Sequence, residues 1–559
     1  MKKYGKCLIP VAAMLLAGCL SGCNNGKIKN KEDPTKTNIY VYNFDGGIGT
    51  KWVQNAAARF EEKYASKSFE EGKTGVKVHI DASKASIDSL PSSIYNIIFT
   101  EGLNYFDLAN QNQLLDITDI VKETTLEDVS GGAENVTIES KLTDEQKEAY
   151  TAIGDKYYFL PHYETYSGIC YDKDVFKKKA LYIKDGGGYT NGNDTSVLSV
   201  GPNGIKGDYD DGLPSSIEEF FNLMDQMVLV NVVPFIWTGQ YPSYLNNLAI
   251  GTWTELEGKD RFQLVYELDS NKYGKNTKSN TLSISDSGVK TVTEDTITMS
   301  NGYKAQYQEG KYYGYKFIEK ILSNPKYYSS KITTVLSHLD AQEEFINSNL
   351  ENNPIAFLIE GSYWYNEAKD AFARSVEIYG DRAEERNFGW MPLPSQISGQ
   401  VKVGEGKKNT MISSLLSRAF INANVKKDKA VEEVSKLFLK TMYTQNELEN
   451  FTLDTGCTKG VNYTISSAVK EKLSKYSQTL IELKDVSDVI DPVSSNKIYT
   501  DNSTNFVFSG ISNIWKIKYN NNTYTSIRDC LANGATAEQA FMGGITQEEW
   551  ESSYSKYFQ

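Results

Sequence analysis

The stretch "SIYNIIFTEG", residues 93–102, decides the fold. Its centre, Ile97-Ile98-Phe99, is continuously apolar and short. That pattern suits a strand buried on both faces, and Gly102 ends it. Working back toward the N-terminus, "GVKVHIDA" (75–82) and "NIYVYNF" (38–44) read as two more strands. Between them, "TKWVQNAAARFEEKYA" (50–65) places Trp52, Ala56, Phe60 and Tyr64 at four-residue spacing, one buried helical stripe. Strands alternating with helices imply a parallel α/β sheet, whose ligands lie beyond the carboxyl ends of the strands. Those ends are "FDGG" (44–47) and "TEGLN" (100–104), so Phe44, Asp45, Glu101 and Asn104 are candidate site residues. A carboxylate accepts two hydroxyl donors at once, and an amide both donates and accepts. The alternative for Asn104 and Glu101 is capping of the helix that follows.

Several longer stretches then fall into an order. "YNIIFTEGLNYFDLANQNQLLDIT" (95–118) resembles the third strand and next helix of carbohydrate-type extracellular solute-binding proteins of ABC transporters, the maltose-binding-protein-like family. "GDKYYFLPHYETYSGICYDKDVF" (154–176) resembles that family's first hinge crossing. "DAQEEFINSNLENNPIAFLIEGSYWYNEA" (340–368), "FGWMPLP" (388–394), "SRAFINANVKKDKAVEEVSKLFLKTMYTQ" (417–445) and "LANGATAEQAFMGG" (531–544) resemble later segments of the same family. The resemblance covers the body of the chain. It departs from the family pattern in two regions that read as insertions, 181–215 and 255–335.

The resemblance implies a two-lobe periplasmic-binding-protein-like α/β fold with a central cleft and hinge. Residues 38–161 and 395–455 would form one lobe, and 162–394 with 456–559 the other. It also implies ligand contacts for Trp364 and its neighbour Tyr363, in "EGSYWY". Trp237, Gln240 and Tyr241, in "PFIWTGQY" (234–241), are candidates for the second lobe's wall. Tyr166 and Trp390 lie beside the hinge crossings, where each would either reach ligand or pack the hinge.

Composition agrees with a sugar ligand. The chain has 37 Tyr, 23 Phe and 7 Trp, and a pyranose packs its C–H face on a ring while its hydroxyls bond polar groups. With 559 residues, more than one lobe is expected. A net charge of −13 argues against nucleic acid as partner. The three histidines (His79, His162, His338) have no metal-ligand spacing, and Cys170, Cys457 and Cys530 form no CxxC pair. No cofactor, metal or catalytic set is therefore expected. The acidic loop "GDYDDGLP" (207–214) fails as an EF-hand: with Asp208 first, Asp210 third and Glu219 twelfth, the fifth and sixth positions fall on Gly212 and Leu213. It reads instead as a turn capping the helix 215–227. "GGG" (186–188) lacks the Lys-Ser/Thr of a phosphate loop.

At the start, Lys2, Lys3 and Lys6 precede the apolar run Cys7–Leu20, the layout of a secretory signal. Leu20-Ser21-Gly22-Cys23 resembles a lipobox, with Leu16-Ala17-Gly18-Cys19 as a second copy. The reading is a signal peptide over 1–22, a lipid on Cys23 (Cys19 the alternative) and a flexible tether over 23–37. The function expected is a monomeric, lipid-anchored receptor on the outer face of the bacterial cell membrane. It would capture a carbohydrate, most readily an oligosaccharide, and deliver it to an ABC permease without chemistry on the ligand. A receptor for peptides or another polar solute is the alternative, and a surface glycoside hydrolase a more distant one.

Overall fold

The structure is a computed structural model and describes residues 32–81, 90–384, 386–397, 408–502 and 516–558. The signal, both candidate lipid cysteines and the first part of the tether lie outside the described residues. No helix among the described residues is long and apolar enough to cross a membrane.

Two sheets organise the chain. The first takes strands β1 (Thr37–Asn43), β2 (Val76–Asp81), β3 (Ile97–Thr100) and β4 (Phe159–Pro161) from the N-terminal third. Helix α1 (Lys51–Lys63) links β1 to β2, and Trp52, Ala56 and Phe60 are buried as their spacing requires. Helix α2 (Tyr105–Asn110) follows β3. The second sheet is built from β5 (Ser167–Asp172), β6 (Val233–Ile236), β7 (Ile355–Gly361) and β8 (Phe388–Met391), in the order β8-β5-β7-β6. After β8 the chain forms β9 (Thr410–Ile412) and returns to the first sheet as β10 (Arg418–Ile421). The first sheet thus runs β2-β1-β3-β10-β4.

Register follows from burial. β1 is parallel to β2 and β3, with Val41 opposite Ile97. The returning β10 runs antiparallel to β3, with Phe420 opposite Ile98, and its four residues are all buried. In the second sheet β7 is parallel to β6 and antiparallel to β5. All seven β7 residues are buried, the continuous apolar signature of a central strand.

The C-terminal stretch serves both halves. Residues 488–490 form β11 (Asp488–Ile490), parallel to β9. Tyr499 packs edge-on against Phe106 of α2 at 6.1 Å. Ile527, Cys530 and Phe541 instead join the core under the second sheet. Within 255–335, helix α4 (Glu309–Ser323) lies on helix α3 (Ser243–Glu257). Two glycines permit that contact: a Cβ on Gly314 would sit 2.5 Å from the Ala249 carbonyl oxygen, and one on Gly310 2.9 Å from that of Trp253. Residues 181–215 form the small pair Tyr182–Ile183 and Tyr189–Thr190 followed by an irregular loop.

Candidate functional site

The carboxyl ends of β1, β3 and β7 meet. After β1, Phe44 N donates to Phe99 O at 2.9 Å, so the two parallel strands stay in register up to the loop. That loop places Gly46 beneath Glu101, where a Cβ would lie 3.2 Å from Glu101 Oε1. From the second sheet, β7 ends at Glu360-Gly361, and the chain turns through Ser362 and Tyr363 into the short helix Trp364–Glu367. The Tyr363 ring fills the space over two glycines: a Cβ on Gly47 would fall 1.9 Å from it and one on Gly361 2.4 Å. Asn366 Nδ2 donates to Gly47 O at 2.9 Å, a direct bond between the two halves. The cleft is therefore closed around an aromatic ring.

Three carboxylates surround that ring. Gln342 donates its amide to Glu367 Oε2 at 2.7 Å and to Glu360 Oε2 at 3.3 Å. His338 Nε2 lies 3.4 Å from Glu367 Oε1. Among the described residues no Lys or Arg pairs with Glu101, Glu360 or Glu367. Removing a carboxylate from water without a cation favours its neutral form. Burial, with Glu367 adding repulsion, pushes the Glu101 carboxyl up to about 8. Glu360 is pushed up to about 8 by the same two causes in the same order. Burial also raises the phenols of Tyr244 and Tyr363 far above their ordinary value. Tyr241, 41 % exposed, stacks on Tyr244 at 6.4 Å and faces His338 at 5.8 Å.

The structure brings Phe44, Glu101 and Tyr363 to the turn after β1, the turn that also carries Asp45, with Tyr241 at the rim beyond Tyr244. Gln240 is exposed on the same loop as Tyr241. The other candidates are engaged elsewhere. Asn104 caps α2, accepting from Asp107 N at 3.2 Å. Trp364 is fully buried among Phe345, Phe372, Phe388 and Tyr476. Trp390 packs over Gly168, where a Cβ would lie 2.7 Å from its ring, and Trp237 is buried against Tyr328 at 5.4 Å. Tyr166 sits at the hinge, bridged to Ser413, and donates to Glu164 Oε2 at 3.0 Å. Sequence reasoning missed Glu360, Glu367, Tyr244, Gln342 and Asn366. The rule that singled out Glu101, a polar residue at a strand's carboxyl end, applies equally to Glu360.

A separate cavity of about 580 Å³ lies against the hinge segments, lined by Gln146, Glu164, Lys259, Gln263, Tyr463 and Asp488 among others. Its lysines are already paired, Lys259 with Glu145 at 3.1 Å and Lys484 with Glu164. The cleft, with acids that no described Lys or Arg neutralises beside aromatic rings, is the stronger candidate.

Fold and cleft together define a class: this is a two-lobe α/β chain of the periplasmic-binding-protein type. Among solved structures, a chitin oligosaccharide binding protein matches 94 % of this chain and 99 % of its own, at 11 % identity and a TM-score of 0.53. A cyclic alpha-maltosyl-1,6-maltose binding protein from Arthrobacter globiformis matches over the same shares, at 10 % identity and a TM-score of 0.50. The structure thus has the fold of the carbohydrate-type solute-binding proteins that the sequence resembles. No protein-family model and no curated protein matches the sequence.

Proposed function

We propose that the protein is a lipid-anchored extracytoplasmic receptor that captures an oligosaccharide and hands it to an ABC importer, without chemistry on the ligand. The observation that carries this reading is the cleft where Glu101, from the first sheet, and Glu360 and Glu367, from the second, surround Tyr363. Carboxylates take paired hydroxyls and a ring takes the apolar sugar face, so the lining matches a polyhydroxylated ligand.

The same groups suggest how closure is driven. Closing the empty cleft takes these carboxylates out of water with no cation to receive them, which favours the open form. A ligand whose hydroxyls bond them offsets that desolvation only in the closed form. Such differential affinity is what shifts a two-state equilibrium. The lobes would be those expected above, 38–161 with 395–455 and 162–394 with 456–559. The anchor would be Cys23, with Cys19 the alternative. Both the permease and the membrane enter as partners through this reading.

The test is a calorimetric and thermal-shift titration against panels of oligosaccharides and peptides, with product analysis. Stabilisation by a glycan without turnover is expected. A response confined to peptides would move the assignment to a peptide receptor, and released monosaccharide would refute a pure receptor. Mass spectrometry of the N-terminal peptide from membranes identifies the lipidated cysteine.

A further inference from the structure

The loop that the EF-hand template rejects gathers three acids. One carboxylate oxygen from each of Asp208, Asp210 and Asp211 lies within 4.8 Å of the other two. Asp210 is 0 % and Asp211 8 % exposed, while Asp208 opens to solvent. Proximity alone is ordinary among surface acids. A second observation sets this cluster apart.

Asp210 Oδ2 accepts from Asn203 N at 2.9 Å, and Asp211 Oδ2 from Gly207 N at 2.8 Å. The other oxygen of each, Oδ1, is buried with no hydrogen-bond partner. Buried carboxylate oxygens without donors cost free energy unless a proton or a cation reaches them. Lys206, the cation within the loop, is turned to Asp185 at 2.8 Å and to the Leu198 carbonyl. Asn409 donates to the Tyr209 hydroxyl at 2.7 Å and also faces Asp210, but a neutral amide brings no positive charge to balance the acids.

We propose that Asp208, Asp210 and Asp211 bind one hard divalent cation, calcium in particular, in a site that is not an EF-hand. The donors are carboxylate oxygens, and no His or Cys belongs to the cluster, which disfavours zinc and copper. Calcium tolerates irregular oxygen sets completed by water, and the exposed Asp208 side leaves room for it. Magnesium demands a near-ideal octahedron, a poorer match to adjacent residues of one turn. The EF-hand's twelfth ligand is not needed: Glu219 Oε2 is occupied by Ser215 N at 2.8 Å.

The site would fasten this loop to the return crossing between the sheets. Ser395 donates its N to Ser215 O at 3.1 Å and its Oγ to Pro202 O at 2.8 Å. Ile217 N reaches Gln396 O at 3.0 Å. Gly201, at φ +64°, passes so close that a Cβ would lie 2.2 Å from the Asp210 carbonyl oxygen. The cation would thus stiffen the segment that follows β8.

The experiment is calorimetry and thermal unfolding of the chelator-treated chain, titrated with calcium and then magnesium near pH 7.5. One calcium per chain is expected, with Kd around 0.1–1 mM, the range of extracellular modules. The Tm should rise by roughly 3 °C at a hundredfold excess over Kd. Asp210→Asn should abolish the response while leaving the metal-free Tm unchanged or higher, because the amide oxygen can still accept from Asn203 N while one of three adjacent acids is removed. Asp208→Asn, on the exposed side, should weaken binding at least tenfold without affecting folding. No calcium-dependent shift in the parent chain up to about 10 mM, or a shift that survives in both variants, overturns the proposal. A magnesium response equal to that of calcium overturns the choice of metal.

Discussion

Replacing Glu101 with Gln should stabilise the protein in a pH-dependent way. The amide matches the neutral acid in size but cannot ionise, so the variant removes only the cost of the charged form. In the unfolded chain a glutamate titrates near its ordinary value, and in the fold Glu101 titrates near 8. The unfolded state therefore releases its proton first, and stability falls as pH rises between the two values. At pH 8.5 the linkage amounts to about 4–5 kcal/mol for a fully enclosed group, against about 1 kcal/mol at pH 5. Solvent still reaches part of this side chain, which reduces the difference to ~2 kcal/mol. The variant should then melt roughly 2–4 °C above the parent at pH 8.5 and within about 1 °C of it at pH 5. Differential scanning fluorimetry from pH 5 to 9 reads this directly. An equal shift at both ends would refute the reasoning, since it would locate the effect in packing and not in ionisation.

Three other perturbations probe the same frame. Gly47→Ala puts a methyl carbon where the Tyr363 ring lies 1.9 Å away. The ring must leave its seat or the two halves must separate, and either costs about 1–3 kcal/mol, read as a lower Tm; an unchanged Tm would refute the packed geometry. Arg418→Met strands Asp491, now 3.0 Å from the guanidinium, and should cost about 3–5 kcal/mol by thermal unfolding. A loss below about 1 kcal/mol would show that the Tyr150 hydroxyl, 2.8 Å from Asp491 Oδ2, suffices. Lys459 is held well below its ordinary value by burial, its amine 2.9 Å from His162 Nδ1 and 4.5 Å from the Phe451 ring centre. Lys459→Met keeps the site filled and should raise Tm at pH 7; a lowered Tm would mean that the amine is paired well enough to favour the fold.

The architecture was legible wherever burial imposes a period. Trp52, Ala56 and Phe60 announced α1, and Ile97-Ile98-Phe99 announced β3, because each pattern has one solution. Asp45 and Glu101 were singled out because strands end there in polar turns, and the structure sets Glu101 beside Gly46 of the turn after β1. The cleft was hidden where neighbours in sequence part company in space. Tyr363 and Trp364 are adjacent, yet one faces Gly47 and the other is sealed among Phe345, Phe388 and Tyr476. The turn after Gly361 decides which ring goes where, and its geometry depends on Gln342 and Tyr244, both distant in sequence. Glu360 was obscured by its setting in "AFLIEG", where one acid at the end of an apolar run resembles an interruption. The Asp208–Asp211 turn was measured against a twelve-residue template, and spatial clustering of three acids obeys no such spacing.

The ring of Tyr363 carries a consequence of its own. It rests where Gly47 and Gly361 leave space, so the cleft of this closed form already has a tenant. Any solute entering there must evict that ring before it makes its own contacts. The cost of eviction is set by the protein alone and is the same for every visitor. A substitution at position 363 would therefore change that common cost and the stacking face at once, while the acids around it continue to choose among ligands.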